Sequence, residues 1–190
     1  MPDFNNENTL SFHDLITRTL ARFASSTNEE IDDHIETSLR EIGGFMGVDN
    51  AYIIRTADDR SEWSITHEWT SGSAPALKDS YQHVTMGSWD WAEQLILSGH
   101  VMRVSRLADI PPEGEDVRQG LESLGFKSTL QVPLRRPGGQ VSGCIALSSF
   151  SCEIVWKTDD VRRLQLVAEA IPNATERARV EKELRAALVE

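Results

Sequence analysis

Cysteine is scarce in this chain, with two in 190 residues, Cys144 and Cys152. Neither CxxC nor Cys/His spacing surrounds them, which excludes a zinc motif. Reduced packing residues are the simplest reading of the pair, and a disulfide or reactive pair is the alternative. Long apolar runs are missing too. No stretch of about 18 apolar residues and no charged-then-apolar leader occurs, so this segment is not expected to span a membrane or carry an export signal, and a cytoplasmic location is expected. Basic clusters are also missing. Thirty acidic residues against 19 basic ones leave a formal charge of −11, which argues against nucleic acid or an anionic lipid surface as partner. The five histidines, His13, His34, His67, His83 and His100, form no HxH or HExxH pattern, so no metal site is expected. No phosphate-cradling glycine loop, no GxSxG and no carboxylate pair in a catalytic context appears, and the chain is not expected to be an enzyme.

What is present is an ordinary globular composition, 39% apolar and 26% charged, long enough for one domain with a real core. MPDFNNEN is polar and patternless, so residues 1–9 are expected to be frayed or disordered. From Leu10, the positions Phe12, Leu15, Ile16, Leu20 and Phe23 form a helical stripe. After a Ser-Ser-Thr-Asn break, Thr27 or Asn28 can cap a second helix whose stripe is Ile31, Ile35, Leu39, Ile42 and Met46. The period then changes. Residues 51–56 and 63–70 read as a strand hairpin, residues 71–88 as a long loop and residues 89–97 as a helix ended by Gly99. A short strand at 101–104 and a helix from Pro111-Pro112 to Gly125 follow.

The stretch STLQVPLRRPGGQVSGCIAL, residues 128–147, reads as a second hairpin turning at Pro137-Gly138-Gly139. Pro133 lacks an N–H and belongs at a bulge or facing no partner. From Thr158 a helix runs to the end, with Thr158 and Asp159 as cap candidates and Pro172 expected to kink or divide it. Beyond Pro172, Ala174, Ala178, Val180, Leu184 and Leu188 lie among Glu and Arg, the look of a short coiled coil or of a solitary solvated helix.

With the elements in that order, the chain resembles a GAF domain of a bacterial signalling protein. The resemblance is carried by Trp91 before LILSGHVMRVSRLADIPP, by LESLGFKSTLQVPLRRPGGQVSGCIALSSF, by Trp156 before KTDDVRRLQLVAEAI, and by ERARVEKELR. It covers about residues 10–185. It implies an α+β, PAS-related fold: an antiparallel sheet of five or six strands, terminal helices on one face and a ligand pocket on the other. Residues 10–171 are then the sensory domain and 172–190 an outgoing signalling helix. The resemblance further implies a homodimer through the terminal helices and a downstream output domain of the histidine kinase or diguanylate cyclase type, the chain being a sensor segment of a longer protein.

Within that frame the ligand is a small molecule of unknown identity held between residues 65 and 147. Trp69, Trp89 and Trp91 bracket the long loop, His83 lies within it and Leu95 lies in the helix that follows. Leu130, Val132 and Ile145 are floor residues if their face of the sheet is the ligand side, and core if they face the terminal helices. Core packing is the simpler reading of each tryptophan. Bilin-binding relatives attach their chromophore through a cysteine beside the pocket helices, and residues 1–143 contain none, so covalent bilin is disfavoured. The cyclic-nucleotide signature is not found, and heme, which would need His67 or His83, is not expected. A thiol-dependent reductase is the enzymatic alternative and a ligand-free dimerisation spacer the structural one.

Overall fold

The computed structural model describes the backbone of residues 4–188 and the side chains of residues 12–188. Helix α1 (Phe4–Ser25) is followed by α2 (Ile31–Met46), β1 (Asn50–Thr56), β2 (Glu62–Thr70), β3 (Val84–Thr85), α3 (Asp90–Leu97) and β4 (Met102–Val104). Helix α4 (Glu115–Ser123), β5 (Ser128–Arg135), β6 (Val141–Ser149) and α5 (Thr158–Ala187) complete the chain. Of the start expected to be frayed, residues 1–3 lie outside the described residues, as does the Leu10 side chain, and the backbone is helical from Phe4. The last two residues of the outgoing segment lie outside as well. No described helix is long and apolar enough to cross a membrane.

The six strands form one antiparallel sheet in the order β3-β2-β1-β6-β5-β4. Both faces are covered, and every residue of the central strand β6 is buried. On one face lie α1, α2 and α5. Their stripes, such as Phe12 and Leu15, Ile35 and Leu39, and Leu164 and Val167, pack on Ile53, Leu130, Val132 and Ile145 of the sheet. Each fully buried side chain of this size contributes roughly 1.5–3 kcal/mol. On the other face α3, α4 and the segment after β2 cover a second core built on Tyr52, Ile65, Met102 and Ala146.

Local signals explain most of these elements. Thr27 prepares the start of α2 as expected of a cap, but indirectly: its amide and hydroxyl donate to the Glu30 carboxylate at 3.1 and 2.8 Å. Gly47, at φ 65°, ends the helix in the left-handed region. Pro133 pairs with Cys144 beside the register shift between β5 and β6, where a residue without an N–H is tolerated. Of the two outcomes expected at Pro172, division does not occur: α5 runs unbroken through it, with Ile171, Ala174 and Ala178 buried on both sides and holding the flanking turns in place despite the lost bond to the Ala168 carbonyl.

One irregularity decides which side chains face the second core. Ile53 pairs with His67 but Ile54 pairs with Ile65, so Thr66 is an extra residue in β2. A regular strand would place Trp63, Ile65, His67 and Trp69 on one face. With the bulge, Trp63 and Ile65 stay on the α3/α4 side, whereas Trp69 crosses to α2. Gly43 of α2 receives it, since a Cβ there would overlap the Trp69 ring.

Candidate ligand-binding site

Between the sheet and the α3/α4 layer lies a cavity of about 90 Å³. Tyr52 and Ile54 of β1, Trp63 and Ile65 of β2, Gln131 of β5 and Cys144 of β6 contribute its floor. Leu77, Tyr81, Met86 and Trp89 come from the segment between β2 and α3, and Ile96, Leu121 and Phe126 from the helical layer. The cavity is partly open to solvent, and its volume is well above what one water needs.

Two carboxylates order the long segment after β2. Glu68 accepts the Leu77 and Lys78 amides at 2.7 and 2.9 Å and Asn50 Nδ2 at 2.9 Å, which starts a 3-10 turn at Lys78–Ser80. Tyr81, just beyond, stacks on Trp63 with centroids 5.9 Å apart and planes at 6°. Glu93 accepts Trp63 Nε1 at 2.8 Å, the Trp89 amide at 3.2 Å and the Gly87 amide at 2.5 Å. From the first turn of α3 it reaches back to the Trp89 amide at the helix start and ties the lid, Met86 to Trp89, to the floor at Trp63. Trp89 in turn rests against Gly120 of α4, where a Cβ would come 2.9 Å from its ring.

The wall carries one carboxylate, Glu93, engaged by three N–H groups. No Lys, Arg or His is among its lining residues. Burial pushes the Tyr52 phenol up from its usual range, against the contact of its hydroxyl with Ser148 Oγ at 3.4 Å, and pushes the Cys144 thiol up to about 12. Both are therefore neutral near pH 7, and Cys144 is poorly suited to nucleophilic attack. Among the described residues no cluster of three or more His, Cys, Asp or Glu comes together to hold a metal ion. The cavity lining is chiefly apolar and aromatic.

The family model of the GAF domain matches residues 30–174. The chain belongs to the GAF domain family. Solved structures agree on the fold. The far-red absorbing dark state of JSC1_58120g3 with bound biliverdin is 15% identical, with a TM-score of 0.71 over 87% of this chain and 99% of that one. The blue-light absorbing form of the Thermosynechococcus elongatus PixJ GAF domain is 15% identical, with a TM-score of 0.67 over 85% and 92%. A phycocyanobilin-bound GAF domain from a cyanobacterial phytochrome is 16% identical, with a TM-score of 0.70 over 90% and 96%. No curated protein matches the chain significantly.

One expectation is corrected here. Covalent bilin was disfavoured because no cysteine precedes position 144, yet similar GAF structures hold biliverdin and phycocyanobilin, and Cys144 itself stands on this cavity's wall. Position along the chain was the wrong criterion, because β6 runs through the middle of the pocket floor.

Of the eight expected site residues, this GAF domain places Trp89 on the cavity wall. Trp69 lies on the opposite face of the sheet because of the Thr66 bulge. Leu130, Val132 and Ile145 face the terminal helices, so of the two readings left open for them the packing one holds. Trp91 and Leu95 pack in the second core outside the cavity, Trp91 over Gly114. His83 is exposed at φ 54° and its Nδ1 meets Glu62 at 2.6 Å. His67 turns toward α2, with Nε2 3.2 Å from Asp32; burial lowers its pKa in spite of that carboxylate. Sequence reasoning missed Tyr52, Trp63, Gln131 and Cys144. Gln131 and Cys144 are the alternating neighbours of the chosen Leu130, Val132 and Ile145, and only the packing of the helices shows which parity faces the cavity. Trp63 shares the parity of Trp69 and is separated from it by the Thr66 bulge, and Tyr52 lies on β1, where no position was chosen.

Proposed function

We propose that this GAF domain is a noncatalytic sensory module that binds a small, uncharged, ring-containing molecule in the cavity and relays its occupancy through α5. The observation that carries the reading is the alternation on β5 and β6. Gln131 and Cys144 line the cavity, while their chain neighbours Leu130, Val132 and Ile145 pack in the core that holds Leu164, Val167 and Ile171 of α5. A ligand that shifts these two strands acts on the helix through one layer of close-packed side chains. The downstream partner is an output domain of the histidine kinase or diguanylate cyclase type, in bacterial two-component or second-messenger signalling in the cytoplasm.

A homodimer through the terminal helices completes the proposal. Leu166, Val180, Leu184 and Leu188 are exposed along α5, an apolar stripe that a second copy would cover. Leu184→Glu should then shift a sedimentation equilibrium toward monomer. The alternative, a spacer without ligand, uses the same stripe and ignores the cavity.

The binding test is a thermal-shift and tryptophan-fluorescence screen of the full chain with indole, 2-quinolinone, biliverdin and phycocyanobilin, the bilins chosen because similar GAF structures hold them. At least one compound should saturate, raise the melting temperature and slow amide exchange in α5. A flat response to the whole panel, with α5 exchange unchanged, leaves the spacer as the surviving reading.

A further inference from the structure

Among the described residues, Gln131 is the one cavity-lining residue whose side chain offers free N–H donors and an acceptor together on one planar edge. It sits in the middle of the sheet, paired with Met102 of β4 and Ala146 of β6, so its backbone is committed. Its chain neighbours Leu130 and Val132 are 0% and 1% exposed on the opposite face, yet Gln131 itself is only half-buried. With the sheet covered on both faces, that remaining surface is cavity surface.

A primary carboxamide offers two donors and an acceptor with two lone pairs. Here Oε1 receives a single weak S–H contact from Cys144 at 3.7 Å, and among the described residues the amide nitrogen donates to no side chain or carbonyl. Of the other polar groups of the wall, Glu93 accepts three N–H groups and the Tyr52 hydroxyl contacts Ser148, while the Thr56 and Tyr81 hydroxyls are single-point groups rather than a paired donor and acceptor edge. An amide left open in an apolar cavity carries a desolvation cost, and a folded domain that only needed packing at this position would be more stable with Met or Leu.

We infer that Gln131 is the specificity-determining residue of the cavity, and that its ligand is an uncharged planar heterocycle presenting an adjacent N–H and C=O edge, as in a cyclic amide, imide or nucleobase. The inference rests on the binding reading above and names its ligand class. The ring edge returns a donor to Oε1 and an acceptor to Nε2, a two-point match that a single carbonyl or ring nitrogen does not make. The aromatic walls, Trp63 with Tyr81 on one side and Trp89 on the lid, contact the ring faces. The wall has no Lys, Arg or His to meet an anion, and its one carboxylate, Glu93, is already engaged by three N–H groups, which suits a neutral ring.

Matched probes test this on the full chain: 2-quinolinone carries the edge, N-methyl-2-quinolinone lacks the donor, and quinoline lacks both the donor and the carbonyl. Calorimetric titration should show 2-quinolinone binding about fivefold more tightly than N-methyl-2-quinolinone, which loses one net hydrogen bond, and about tenfold or more above quinoline, which loses two. In Gln131→Met, of similar length and shape, the three affinities should converge to within about twofold. Equal affinities in the unsubstituted protein, or a preference that survives Gln131→Met, overturn the inference while leaving the cavity a binding site. No saturation by any of the three at their solubility limits also overturns it, and the separate panel above then decides whether the cavity binds anything. Should Gln131→Met fail to fold, the comparison of the three probes on the unsubstituted chain still decides.

Discussion

Removing the Glu93 carboxylate is the sharpest perturbation of the lid. In Glu93→Ala the buried Trp63 indole loses its 2.8 Å acceptor, which costs about 1–3 kcal/mol for a buried donor left unmet. The Trp89 amide loses its 3.2 Å cap at the start of α3, worth about 1 kcal/mol. The Gly87 amide, bound at 2.5 Å in an exposed turn, turns to water at nearly no cost. The sum, about 2–4 kcal/mol, corresponds to a fall of roughly 4–16 °C in melting temperature for a domain of this size. Glu93→Gln keeps one acceptor and should lose about 1 kcal/mol. The assay is urea unfolding of the full chain followed by far-UV dichroism, with amide exchange at Gly87 and Trp89 as the local readout. Gln94→Ala, which removes only the exposed contact to Asp90 at 2.8 Å, is the control and should stay within about 0.5 kcal/mol. A Glu93→Ala protein equal in stability to that control, with unaltered exchange at the lid, would refute the claim that this carboxylate ties the lid to the floor.

Two further outcomes follow from the packing. Burial raises the Cys144 thiol from its ordinary 9.0 to about 12, so the folded state keeps a proton that the unfolded state releases. Its stability contribution is complete below pH 9 and is lost as the pH rises toward 12, at no more than about 1.4 kcal/mol per pH unit; Cys144→Ala should flatten that decline in denaturation curves. The same burial predicts one fast-reacting thiol with iodoacetamide in the native protein, at the exposed Cys152, and its disappearance in Cys152→Ser. On the other face of the sheet, Gly43→Ala forces a methyl into the Trp69 ring and should cost about 1–3 kcal/mol by denaturant unfolding, while Gly44→Ala, which meets nothing, should be neutral or stabilising.

Much of the architecture is legible in the residues alone because it is written in short-range periodicity. The stripe Ile31, Ile35, Leu39 and Ile42 specifies α2 and its buried face, and the alternation in STLQVPL specifies β5, since both depend only on side-chain spacing along a regular backbone. The order of those elements was enough to point to the GAF fold, and the family match over residues 30–174 agrees.

The cavity was legible only in outline. Alternation shows that Leu130 and Gln131 face opposite ways, but which of them meets a ligand depends on where α5 docks, a long-range fact. The extra residue at Thr66 reverses the parity of β2, so Trp69, an odd-numbered partner of Trp63 in sequence, ends on the opposite side of the sheet. Pro172 carries a local instruction to break the helix, and the packing of Ile171, Ala174 and Ala178 overrides it. Cys144 is far in sequence from the helices that cover the cavity, yet it reaches the cavity wall because β6 crosses the sheet centre. By itself the sequence determined the order of the main elements and the family, but not the two-residue β3, which lies inside the stretch 71–88 expected to be a loop. Tertiary structure alone decided which face of each strand became the pocket, because a period of two distinguishes the faces without saying which one the helices will cover.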